Sequence, residues 1–293
     1  MCGIAGYSLG ERSKADRTLA AQALLAGIAE RGADAVGYAY RSPTDAAVEI
    51  HKQRTAASEL LESVVVPAGV TQVLVHVRDY TKGHPRIDAN NHPIRHGAVV
   101  GIHNGIVEND EEIIAANGFE RAHPQMTVDS EAIFALMEAT ASDPRALETL
   151  RGAMAAAWLD ERAGETLFLA RSVGRPLWVG TGSHELFFAS TRAALEVVER
   201  ALRIALMKSE VSEGRLLRIV AGRVEAHARF RPDRTYRERN ALPPVRAPHE
   251  GAFCLGVLGT DGTNAQAATA LDGQRRFELD GVRMDRHVAI AGK

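Results

Sequence analysis

Two dense apolar runs, TQVLVHV at 71–77 and GAVVGIHNG at 97–105, flank residues 79–96, which hold Gly83, Pro85, Asn90, Asn91 and Pro93 and almost no periodicity. Runs so rich in β-branched residues read as central strands. A loop of this length between two strong strands is functional rather than a plain connection. Other strands read from CGIAGYSL (2–9), RGADAVGYAY (31–40) and AVEIHKQ (47–53). Residues 154–230 return to β character in MAAAWLD, ETLFLARS, PLWVGT, LFFAS and RLLRIVAGRVEAHAR, with Gly222 at a hairpin turn. Helical spacing appears in residues 15–30, in VDSEAIFALMEATA with Asp129 near the N-cap position, and in RAALEVVERAL. Two groups of strands with few β-α-β alternations predict an α+β fold, with stacked sheets and helices outside.

The tail differs. RPDRTYRERNALPPVRAPHEG is charged and Pro-rich, and GVLGTDGTNAQAATALDGQ is Gly/Ala/polar. Residues 231–293 therefore read as a loosely structured extension. The Gly-rich piece lacks GxGxxG and a phosphate-loop lysine, so no nucleotide or other cofactor is expected. No internal repeat is visible.

Charge excludes some partners. With 35 basic and 37 acidic residues the net charge is −2, so neither nucleic acid nor an anionic membrane is an expected partner. No apolar run approaches the roughly 20 residues of a membrane span, and no secretory leader is recognisable. Two cysteines, Cys2 and Cys254, make a disulfide framework unlikely to arise and point to the reducing cytoplasm.

Cys2 is the residue that points to chemistry. Most free cysteines are small core residues. This one follows the initiator methionine, and removal of Met1 would leave a thiol and a free α-amine on one residue. The amine, with a pKa of about 8, can accept the thiol proton of pKa about 8.5. Nucleophile and base are then the same residue, and no histidine partner is required. The apolar GIAGY behind it supplies a strand that would hold such an end in place.

Six segments carry a resemblance. MCGIAG (1–6), RGADAVGYA (31–39), HVRDYTKG (76–83), NNHP (90–93), GIHNGIVEND (101–110) and VDSEAI (128–133) together are similar to the glutaminase domain of class II glutamine amidotransferases. That family lies in the N-terminal-nucleophile (Ntn) hydrolase superfamily, and the likeness is greatest to the glutaminase half of glucosamine-6-phosphate synthases. LARSVGRPLWVG and LFFASTRAALE also resemble it, so the likeness spans residues 2–228 and leaves 229–293 as an extension of unknown role. The resemblance implies a four-layer αββα sandwich of two stacked, mainly antiparallel sheets. It implies L-glutamine as substrate and attack by Cys2 on the side-chain amide, giving a thioester, glutamate and ammonia. Asn104 and Gly105 match the oxyanion hole. Arg78 matches the arginine that binds the substrate carboxylate, a geometry that favours Arg over Lys. Thr81 matches a head-group hydrogen-bonding threonine, Asp129 the acid that pairs with the α-ammonium, and His92 a histidine bordering the pocket. Arg31 and Gly32 match the pair packed beside the nucleophile.

Bland readings sit beside these. Asn-Gly is also a strong tight-turn signal, and an Asp at a helix start is an ordinary cap. His92 and His96 have a spacing that zinc sites use, although no metal is expected here. Asp79 and Tyr80 stand where the synthase-like pattern has an aromatic and a small residue. Residues 231–293 are too short to supply the sugar-isomerase half. The ammonia is therefore expected to go to a separate synthetase or transferase, or to be released. Two rival readings are an Ntn hydrolase acting on another amide and a non-catalytic subunit of the same fold.

Overall fold

The computed structural model describes residues 2–238 and 243–259. The first sheet contains β1 (Gly3–Leu9), β2 (Ala35–Arg41), β3 (Val48–Gln53), β4 (Gln72–Arg78), β9 (Trp178–Thr181), β10 (Glu185–Ala189) and β11 (Met207–Glu210), in the order β11-β9-β10-β1-β4-β2-β3. The second contains β5 (Ile94–His96), β6 (Val99–Val107), β7 (Gly152–Asp160), β8 (Thr166–Arg171), β12 (Arg215–Val220) and β13 (Arg223–Arg229), in the order β13-β12-β8-β7-β6-β5. Every pairing among the described residues is antiparallel.

Three buried clusters give four layers. Ile4, Leu74, Val100, Ile102, Leu167 and Leu169 fill the space between the sheets. Ala5, Tyr7, Val73, Val75 and Val77 face the opposite way, against α1 (Arg17–Ile28) and α5 (Arg192–Leu202). Val99, Met154, Trp158 and Phe168 pack under α4 (Glu131–Ala139). A period of two along β1, β4 and β6 thus splits side chains between the central layer and an outer helical layer. This is the expected αββα sandwich of two stacked antiparallel sheets. The two shorter helices are α2 (Ala57–Leu60) and α3 (Asp110–Ala116).

Register brings the chemistry to one end. Gly3 pairs with Val77 and Ile4 with His76, so one step further out Cys2 stands beside Arg78. Ala35 pairs with Arg78 on the other side, which places the 29–34 turn next to both.

Asn104 and Gly105 lie inside β6, paired with Ala155 and Met154, as the strand reading of 97–105 expects, and not in the tight turn that Asn-Gly often marks. One expectation needs correction: the tail is not loose throughout. Residues Pro248–Val257 form helix α6, which packs on α1 and buries Cys254 fully in the core. Composition hid this, because tertiary burial rather than propensity makes the helix. Met1 and residues 260–293 lie outside the described residues, so the reading of that part of the tail is not addressed.

Candidate active site

Cys2, Arg78, Tyr80, Thr81, Lys82, His92, His103, Gly105, Val128, Asp129 and Ser130 line one cleft. The sequence expectation named six of them, Cys2, Arg78, Thr81, His92, Gly105 and Asp129. Asn104 precedes Gly105 on β6, Arg31 bonds the Cys2 carbonyl, and Gly32 packs on the Arg78 carbonyl. They come from both sheets and from the 79–96 loop, and only the sandwich brings them together.

Cys2 is held at both ends of the residue. Arg31 Nε donates to its carbonyl at 2.9 Å, and its Sγ lies 3.5 Å from the Asp79 carbonyl oxygen. Burial pushes the thiol pKa up, with the Asp79 backbone and the Arg78 guanidinium pulling the other way. The resting sulfur is thus a thiol that needs a base. Gly32 packs so tightly on the next strand that a Cβ there would lie 2.4 Å from the Arg78 carbonyl oxygen.

Arg78 is buried and works on the loop that follows it. Its guanidinium donates to Asn91 Oδ1 at 2.5 Å, to the Lys82 carbonyl at 2.9 Å and to the Gly83 carbonyl. These bonds fold 82–91 back over β4 and aim the exposed Thr81 at the cleft.

Asp129 does not cap the next helix. The N-cap of α4 is Ser130, and the Asp129 carboxylate instead accepts the Val107 N–H at 2.7 Å. Burial is the main reason its pKa rises from 3.8 to about 6; the nearby Asp110 adds to the rise, while the Val107 N–H and Lys82 oppose it. Lys82 Nζ bonds both Asp110 oxygens at 2.7 Å.

The backbone of β6 supplies a donor. Along an antiparallel strand, alternate N–H groups point to the same edge. The Val107 N–H points away from β7 to Asp129, so that of Gly105 points away from β7 too. On that side β5 reaches only as far as Gly101, and the Gly105 N–H is left facing the cleft. Next to it, Asn104 Nδ2 is buried without a partner among the described residues. Gly105 has φ +152°, and a Cβ there would lie 1.9 Å from the Ala153 carbonyl. Gly105→Ala should therefore destabilise the fold by about 3 kcal/mol or more, read as a lowered melting temperature or loss of soluble protein.

Three histidines crowd the cleft wall. His76 and His92 stack with centroids 4.2 Å apart, and His76 Nε2 lies 3.2 Å from the His103 carbonyl. Burial drives His76 and His103 down to about 3 and His92 well below its usual value, so all three are neutral at neutral pH. Both ring nitrogens of His92 are buried and unpartnered among the described residues. His96 turns elsewhere, to Glu131 Oε1 at 3.1 Å, so it and His92 do not converge as a metal pair. Tyr80, Lys82, His103, Val128 and Ser130 were missed as cleft residues. All five lie inside the quoted motifs, which were the only sequence signal for them.

Comparison with known proteins finds similarity to glutamine amidotransferases. A family model described as a glutamine amidotransferase domain matches residues 83–197. The glutamine–fructose-6-phosphate aminotransferase (isomerizing) of Helicobacter pylori is 32% identical over 211 residues, covering 67% of this chain and 33% of that protein. The corresponding Shouchella clausii protein is 29% identical over 210 residues, covering 68% and 33%. The chain thus spans about a third of the length of these curated relatives. Among solved structures, glutamine phosphoribosylpyrophosphate amidotransferase from B. subtilis superposes with a TM-score of 0.59 at 19% identity, covering 78% of this chain and 49% of that one. A glutamine aminotransferase class-II domain protein from Silicibacter pomeroyi gives 0.50 at 21% identity, covering 79% and 100%. At these identities the structural likeness is one of fold.

Proposed function

We propose, from the premise that this chain carries a glutamine amidotransferase domain of the class II type, that it hydrolyses the side-chain amide of L-glutamine through Cys2. One observation carries the reading: Cys2, Arg78, Gly105 and Asp129, far apart in sequence and on different elements, line a single cleft.

The chemistry follows from what each group can do. With Met1 removed, the α-amine of Cys2 takes the thiol proton, and the sulfur attacks the amide carbon. The Asn104 side-chain N–H and the Gly105 backbone N–H stabilise the oxyanion, each worth about 3 kcal/mol of barrier. The amine then passes its proton to the departing nitrogen, so ammonia leaves and a thioester remains. Water attacks the thioester, glutamate departs, and the thiol is regenerated. Arg78 and Thr81 take the substrate carboxylate, Asp129 takes the ammonium, and neutral His92 borders the pocket. No cofactor enters these steps. Ammonia goes to a separate synthetase or transferase, and the working compartment is the cytoplasm. Arg78 and Asp129 favour glutamine over an acylated amine, because a cation and an anion in one cleft suit a free amino-acid head.

The direct test is glutamate release from glutamine by the purified protein. Absence of release, with the mature N-terminus verified as Cys2 by intact mass, would end this reading.

A pH dependence follows. An ionised Asp129 is needed to hold the ammonium, and its carboxyl titrates at about 6. As pH falls through 6 the carboxylate gains a proton and loses its partner. KM for glutamine should then rise about tenfold per pH unit below 6, on top of the fall in kcat that protonation of the Cys2 α-amine, with a pKa of about 8, brings over the same range. A KM that stays flat down to pH 5 contradicts the assignment.

A further inference from the structure

We infer that the C-terminal segment 243–259 is a positioning device for Cys2, acting chiefly through Arg246. The inference rests on the reading of Cys2 as the nucleophile.

Two loops touch Cys2. The turn at Ala29–Arg31 reaches its carbonyl through Arg31 Nε, and the loop after β4 reaches its sulfur through the Asp79 carbonyl. The C-terminal segment binds both. The Glu30 carbonyl accepts the backbone N–H groups of Arg246 and Ala247, each at 2.8 Å. The Arg246 guanidinium Nε lies 3.2 Å from Asp79 Oδ2 and 3.3 Å from Oδ1. One residue thus ties together the supports of the carbonyl and the sulfur of Cys2. Helix α6 anchors this residue. Gly251 lies so close to the turn that a Cβ would sit 2.9 Å from Glu30 Cβ. Glu250 Oε2 accepts the Ser58 N–H at 2.9 Å, and Cys254 is fully buried against the α1 core.

The two loops also meet each other. The Asp34 N–H donates to the Arg78 carbonyl at 3.0 Å, and the Tyr80 N–H donates to Asp34 Oδ2 at 2.9 Å. Arg246 closes this pair from outside, where its side chain is exposed and the Asp79 side chain is mostly buried. An exposed ion pair adds little to global stability. Its consequence here is geometric, since a nucleophile displaced by a fraction of an ångström loses rate rather than affinity. The Asp79 carboxylate also stands near the sulfur, where its charge disfavours the thiolate, and Arg246 balances it.

The test is a double-mutant cycle on the full chain. Arg246→Ala and Asp79→Asn should each lower kcat for glutamine about five- to tenfold, with KM within about twofold. The double variant should be no worse than either single, and Arg246→Lys should recover part of the loss. Melting temperatures should stay within about 3 °C of the parent, as suits an exposed pair. Two readouts do not depend on the substrate. In Arg246→Ala, amide exchange in residues 29–34 and 79–83 should accelerate about tenfold while that in 99–107 is unchanged. The rate of Cys2 alkylation by iodoacetamide, located by mass, should change at least about threefold. Unchanged exchange and alkylation, or losses that multiply in the double variant, overturn the positioning role. A parent inactive on glutamine whose exchange and alkylation still respond to Arg246→Ala sinks the glutamine reading and upholds the clamp.

Discussion

Cys2→Ala should release no glutamate above background, a loss of at least about a thousandfold, while still binding glutamine and melting at the parent temperature. Removal of the sulfur takes away the atom proposed to form the thioester, but none of Arg78, Thr81 or Asp129. The experiment discriminates because the cleft holds a second candidate nucleophile. Ser130 Oγ lies 2.8 Å from His103 Nδ1, and His103 Nε2 lies 3.4 Å from the Ala153 carbonyl. A carbonyl only accepts, so the ring proton sits on Nε2 and Nδ1 accepts from the serine. That is the geometry of a serine with its base. The energetics argue against it, because burial holds His103 at about 3 and it takes a proton poorly at neutral pH. Ser130→Ala should therefore keep most of the activity. A Cys2→Ala variant that still turns over, beside a dead Ser130→Ala, would move the chemistry to the serine.

Sequence legibility followed how local each signal is. The runs 71–77 and 97–105 became β4 and β6 because branched residues facing both layers leave little alternative to a buried strand. Helix α5 was legible through its alternating faces. The bland capping reading of Asp129 does not hold, because capping is a local rule, whereas its partner is the Val107 N–H, reached only through the packing of β6 beside the 127–130 turn. Asn104-Gly105 carried a strong turn signal, yet the glycine serves a close approach to the Ala153 carbonyl inside a ladder. Helix α6 was invisible because Gly251 and Gly256 lower its intrinsic helix tendency. It forms against α1, and no local pattern reports that.

The candidate site shows the same division. Cys2, Arg78 and Gly105 could be named because each is the kind of group the proposed reaction needs, and each lay in a recognisable motif. What the sequence could not show is the frame around them. Arg31 on the Cys2 carbonyl, Asp34 on the Tyr80 amide and Arg246 on Asp79 are contacts between positions 29, 46 and 167 residues apart. They depend on register and loop closure rather than on residue type.

The second large effect is expected at Asn104, and its sign on stability is what makes it informative. Asn104 is almost fully buried, and its Nδ2 has no partner among the described residues. An unsatisfied buried donor costs about 1–3 kcal/mol, so Asn104→Ala should leave the melting temperature unchanged or raised. The same donor is one of the two proposed to meet the oxyanion. Its loss should lower kcat about a hundred- to a thousandfold with KM nearly unchanged. Asn104→Asp keeps the size but replaces donor with acceptor, and it should be at least as inactive. A core residue held for packing would behave the other way, with truncation lowering stability and leaving the rate alone. Parallel measurement of melting temperature and kcat on Asn104→Ala separates the two. A stability loss with kcat intact would remove Asn104 from the reaction and leave the Gly105 N–H as the sole oxyanion donor.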